Sequence, residues 1–132
     1  MAALTENRDT PIKVKATQAY PMAAATKIFA GAAVVVTKST GNCTNATDAT
    51  GVAFVGIAID LYDNTGGAAA AKQCVVRNTG VVEFAATGTL TVGDTAYVAD
   101  NQTVTDATTA TNDVAVGKVV KISGGRAWVD IG

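Results

Sequence analysis

The sequence predicts an all-β fold: a small β-barrel or β-tulip-like single domain with an extended N-terminal arm. Three observations carry this expectation. The last forty residues divide into alternating or continuously apolar runs of strand length, each closed by turn residues. Leu occurs only at Leu4, Leu61 and Leu90, so a helical core would lack its usual filler, and Ala and Val supply most of a 48% hydrophobic content. A chain of 132 residues is one domain by length and buries roughly two-thirds of its unfolded surface, enough for a core without metal or disulfide staples.

The arm and first strand are placed at residues 1–19 and the barrel at 20–132. Met1 to Pro11 is polar and ends in Thr10-Pro11, where proline biases the preceding residue away from helix. Ile12-Lys13-Val14-Lys15-Ala16 alternates, with Lys13 and Lys15 protecting a half-exposed edge. Pro21 to Ala30 has helix propensity but little length, so a turn or brief helix is expected. Gly31 then leads into Ala32–Thr37, a β-branched run typical of a strand covered on both faces, closed by Ser39-Thr40-Gly41-Asn42.

Val52 to Leu61 is the strongest core segment of the first half. Strict alternation puts Val52, Phe54 and Ala58 on one face and Ala53, Val55, Ile57, Ile59 and Leu61 on the other, and two apolar faces invite a covering partner. Gly56 in its centre signals a bulge or the close approach of another backbone. Asp60 to Gly67 reads as a loop and Ala68 to Lys72 as one helical turn. Gln73–Asn78 and Gly80–Ala86 are strands joined by a bend at Thr79-Gly80; Val82, Phe84 and Ala86 share a face, and Glu83 lies opposite, solvated or paired with Arg77.

Gly93–Asn101, Gln102–Thr105, Asp113–Ile122 and Arg126–Ile131 complete the strands, the last two joined by a Ser123-Gly124-Gly125 hairpin turn. In the final strand Ala127, Val129 and Ile131 face one way and Arg126, Trp128 and Asp130 the other. Trp128 therefore keeps polar company, as the cover of an open barrel end or as the anchor of an interface.

Composition argues against several function classes. Charged residues make up 16% and the net charge is -1, which leaves no electrostatic footprint for nucleic acid or an anionic membrane. Histidine is absent, removing the commonest general base, metal ligand and partner of a nucleophile. Gly117-Lys118 is followed by Val119 and lacks the remainder of a phosphate loop; Asp60 and Asp63 lack the ligand spacing of a calcium loop; Asp94 and Asp100 read as turn caps. No enzyme activity, cofactor or metal is expected. Met1 to Thr10 carries Glu6, Arg8 and Asp9 with no apolar segment behind them, so synthesis is expected in the cytosol with Cys43 and Cys74 reduced, while their pairing stays open.

Tyr20-Pro21-Met22-Ala23-Ala24-Ala25-Thr26-Lys27-Ile28-Phe29-Ala30-Gly31-Ala32, Val55-Gly56-Ile57-Ala58, Asp63-Asn64-Thr65-Gly66-Gly67 and Gly80-Val81-Val82-Glu83-Phe84-Ala85 occur in an order that resembles a family of small tailed-bacteriophage and prophage virion proteins. Gly93 to Val104 and Trp128-Val129-Asp130-Ile131 continue the likeness, which spans nearly everything after the arm. Members are described as capsid cement or decoration proteins, sometimes grouped as a domain of unknown function. No single motif is diagnostic; the specificity lies in their order and spacing.

The resemblance implies a barrel or tulip-like protein on the outside of an assembled head, bridging capsomers as a trimer at three-fold or quasi-three-fold sites. Its partners would be the major capsid protein and further copies of itself, its location the virion exterior after synthesis in the host cytoplasm. Arg8, Ile12, Lys13, Val14, Lys15, Arg126, Trp128 and Asp130 are the expected capsid or subunit interface, and the arm could order on docking by adding a strand to a capsid sheet edge. The rival readings are a head fibre or spike base and a carbohydrate- or cell-surface-binding β module. The latter usually needs several exposed aromatics, and this chain is 5% aromatic.

Overall fold

Runs of Val and Ala separated by glycine turns fold into strands throughout the residues described by the structure, a computed structural model, which are 3, 6–7 and 16–132. In chain order they are β1 (Thr17–Pro21), β2 (Lys27–Ile28), β3 (Ala33–Thr37), β4 (Cys43–Asn45), β5 (Val52–Ala58), β6 (Tyr62–Asp63), β7 (Gln73–Arg77), β8 (Val81–Ala86), β9 (Thr95–Val98), β10 (Thr103–Thr105), β11 (Ala115–Ser123) and β12 (Arg126–Asp130). There is no helix among the described residues. Arg8, Ile12, Lys13, Val14 and Lys15, with the edge strand expected around them, lie outside the described residues.

The strands from β8 onward close into a five-stranded barrel in the order β10-β8-β12-β11-β9. Its pairs are antiparallel except β10 with β8, where Thr103 lies beside Ala85 and Val104 beside Ala86 in parallel. The earlier strands form a second sheet in the order β1-β7-β5-β3-β4, and β2 pairs with β6 as a short ribbon. A single parallel bridge from Met22 to Cys43 joins the end of β1 to β4 and curls this sheet almost onto itself.

Two cores result, and β3 and β5 stand between them. Val35 and Ala33 pack with the barrel interior, formed by Phe84, Val98, Val104, Val119 and Val129; Val34 faces a second cluster with Met22, Ile28, Cys43, Cys74 and Val76. Both Val34 and Val35 are fully buried, as a continuous β-branched run predicts.

In β5 strict alternation fails at Gly56. Its φ is 148°, the register with β3 slips between Val34 and Val35, and a Cβ there would run into the Arg77 carbonyl. The bulge therefore exchanges the two faces: Val52, Phe54 and Ile57 pack with the barrel core, and Val55 and Ala58 with the other cluster. Ile57 and Ala58 thus point opposite to the alternation expected of them. Both faces of β5 thus pack against cores of the chain itself, while Ile59 and Leu61 beyond it stay about half exposed, at 50% and 49%.

Pro21–Ala30, expected as a turn or brief helix, takes a turn at Ala24-Ala25, and Ala68–Lys72, expected as one helical turn, takes a non-helical turn at Ala69-Ala70; the two stretches pair with each other. Met22 N–H donates to Lys72 O at 2.8 Å, Ala70 N–H to Met22 O at 2.8 Å and Ala25 N–H to Gly67 O at 3.0 Å. A helix of a few residues is marginal in water, so non-local partners win these backbone groups.

Candidate functional site

The inner face of the barrel is filled by its own core, so the surface available for work is the outer wall. On the outer face of β8, β12 and β11 the ladder sets three rows side by side: Val81, Asp130 and Lys118; Glu83, Trp128 and Lys121; Ala85, Arg126 and Ser123. Alternation along β12 sends Ala127 and Val129 inward, both fully buried, and leaves Arg126 and Asp130 exposed with Trp128 half-buried between them.

A bulge in β11 completes the site. Val119 pairs with Val129 and points inward, whereas Val120 and Lys121 together oppose Trp128. Val120 is thereby turned out beside the indole, 46% exposed. With Val81, itself 50% exposed, these residues form a shallow depression of about 210 Å³ lined by Val81, Val120, Lys121 and Trp128.

Charge surrounds this apolar patch. The Glu83 carboxylate and the Arg126 guanidinium lie 4.0 Å apart, both largely exposed, and Lys118, Lys121 and Asp130 complete the rim. Glu83 thus pairs with Arg126 rather than with Arg77: Arg126 sits one row away on the same ladder, and Arg77 ends a strand of the other sheet. A wide aromatic surface inside a charged ring is the arrangement that protein interfaces favour, since the rim excludes water while the centre supplies contact area.

Of the expected interface residues, Arg126, Trp128 and Asp130 come together here. Their neighbours Val81, Glu83, Val120 and Lys121 escaped the sequence reading. Cross-strand register assembles them, and the only local signal was the Val119-Val120 pair, which cannot say which of the two faces out. Trp128 lies on the barrel wall and not over an open end.

The carboxylates elsewhere serve turns. Asp94 accepts the Thr91 amide and hydroxyl at 2.9 Å each, and Asp100 accepts the Gln102 amide at 2.9 Å. Asp106 is buried and accepts the Thr109 amide at 2.8 Å, the Thr89 amide at 2.6 Å and the Thr89 hydroxyl at 2.8 Å. Hydrogen bonds from Thr109, then from Thr89, hold its carboxyl far below the usual carboxylate range. Asp48 ties the loop before β5 to the loop before β11 through the Thr111 and Asn112 amides, and the Thr111 bond lowers its pKa most.

A second depression, of about 280 Å³, is lined by Phe29, Ala30, Gly31, Ala32, Asn101 and Gln102 and holds no titratable side chain. Among the described residues no three His, Cys, Asp or Glu side chains gather as a metal site would. No family model matches the chain, and no curated protein matches it.

Proposed function

We propose that this chain is a non-catalytic structural protein of a phage virion: it binds the exterior of an assembled capsid and cements neighbouring capsomers, as a homotrimer at three-fold or quasi-three-fold sites. The observation that carries the reading is the Trp128 wall. A large aromatic residue, Val81 beside Val120 turned outward by a bulge, and a ring of both charge signs form an adhesive surface with no reactive group at its centre. The resemblance of the chain's segments to capsid decoration proteins supplies the partner.

Binding that recognises only the assembled shell stabilises it by mass action, and several copies held on one trimer multiply the effect through effective concentration. A stable contact of this kind needs about 1,600 Å² of total buried surface, more than one depression offers, so the wall is the centre of a larger footprint.

Cosedimentation of the purified protein with expanded and unexpanded heads of the same phage tests the reading. Binding to the heads, reduced by Trp128→Ala, supports it; binding to neither rejects it. Glycan-array binding without capsid binding would favour the carbohydrate module, and occupancy away from three-fold positions the fibre or spike base. Removing Met1 to Thr10 with undiminished capsid occupancy would eliminate the docking role expected of the arm.

A further inference from the structure

The chain has two cysteines, and the fold gathers them into one cluster where the edges of the curled sheet meet. Cys43 opens β4, one edge of the curled sheet, and Cys74 lies in β7, next to the opposite edge strand β1. Tyr20 of β1 is the direct ladder partner of Cys74, and the Cys43 thiol donates to the Tyr20 carbonyl at 3.7 Å. Both cysteines are free, both are fully buried, and both belong to the cluster around Met22 and Val76.

The seam itself is slight. The Met22–Cys43 bridge and the Ala23 amide bond to the Cys43 carbonyl at 2.9 Å hold the sheet's two edges together here, and β4 is three residues long. An element with so few ladder bonds opens more readily than the sheet behind it, which gives a small reagent a route to buried sulfur.

We propose that Cys43 and Cys74 are an oxidation site, converted by a small-molecule disulfide into an intramolecular disulfide that fastens β4 to β7 across this seam. The Cys43 thiolate attacks the reagent and displaces one thiol, forming a mixed disulfide. Cys74 then gives up its proton and attacks the Cys43 sulfur, releasing the second thiol. Two electrons and two protons pass to the reagent, one S–S bond is broken and one is formed. The order follows from their shared setting beside the Tyr20 carbonyl: the neighbouring Cys74 thiol lowers the Cys43 pKa, while Cys43 and burial raise that of Cys74. The bridge does not rest on the virion reading, and a chain that folds in a reducing compartment and later meets an oxidising one would acquire the staple after assembly.

The test is incubation of the reduced full-length chain with oxidised glutathione under native conditions. Thiols are then counted after denaturation, the linked peptides mapped and denaturant unfolding measured. The expected result is loss of both thiols together, a Cys43–Cys74 peptide, no covalent dimer, and an unfolding equilibrium constant lowered by about a hundredfold. Cys74→Ala should stop at the mixed disulfide on Cys43, and Cys74→Ser replaces it should the alanine variant fail to fold. Two thiols that still titrate in full, a cross-link between chains, or a bridged protein that unfolds more easily than the reduced one would each overturn the proposal.

Discussion

Asp106 and Trp128 represent two kinds of polar company. The Asp106 carboxylate is consumed by the molecule itself, its oxygens taken up by Thr89, Thr108 and Thr109. Asp106→Asn keeps the shape but loses the charge and an acceptor, so the thermal unfolding midpoint should fall at neutral pH. Because the folded carboxyl binds its proton less readily than the unfolded one, its contribution is complete above the ordinary carboxylate pKa of about 3.9. It disappears as pH drops from there toward the folded value. Midpoints measured between about pH 5 and pH 2 should therefore decline in the native protein and decline less in the variant. Trp128 is only half-buried, so Trp128→Ala should cost folding less than about 1 kcal/mol. On the virion reading it should weaken capsid binding by about 2 kcal/mol or more, the mark of an interface hot spot, as read from a binding isotherm on purified heads.

Bulges decide what the strands present. Gly56→Ala forces a Cβ toward the Arg77 carbonyl at a positive φ and should destabilise by about 3 kcal/mol in denaturant unfolding. Gly124→Ala, at φ 56° in a turn with open space around it, carries the backbone penalty alone and should cost about 1 kcal/mol. The hairpin turn, the doubly covered β3 and the inward set of β12 were legible because each rests on local chemistry: paired glycines, a β-branched run, a period of two. Gly56 was legible as a bulge from composition, but its consequence was not, since exchanging the faces of Ile57 and Ala58 depends on the register with β3. The bulge of β11 against β12 carries no glycine, so Val120 gave no sign that it would stand beside Trp128. Near residues 21–30 the turn formed but no helix, and the helical turn expected at 68–72 did not form, for the complementary reason that their backbone partners lie about forty to fifty residues away in the chain.

The division of labour along the chain is simple: residues 17–77 supply the curled sheet and 81–130 the barrel, yet the barrel core is finished by Val35, Phe54 and Ile57 from the sheet. The two halves should therefore unfold as one. Trp128 fluorescence reports the barrel and far-UV circular dichroism the whole strand content, and their denaturant transitions should coincide. Two separate midpoints would show that the shared β3–β5 layer does not couple them.

Closure has one more consequence. A sheet rolled into a ring offers no unpaired backbone rim for another polypeptide to extend, whereas the curled half keeps β1 and β4 as edges joined by a single bridge. Crowded to high local density, the barrel half carries little risk of zippering into fibrils, leaving its side chains, rather than its main chain, to choose what it sticks to.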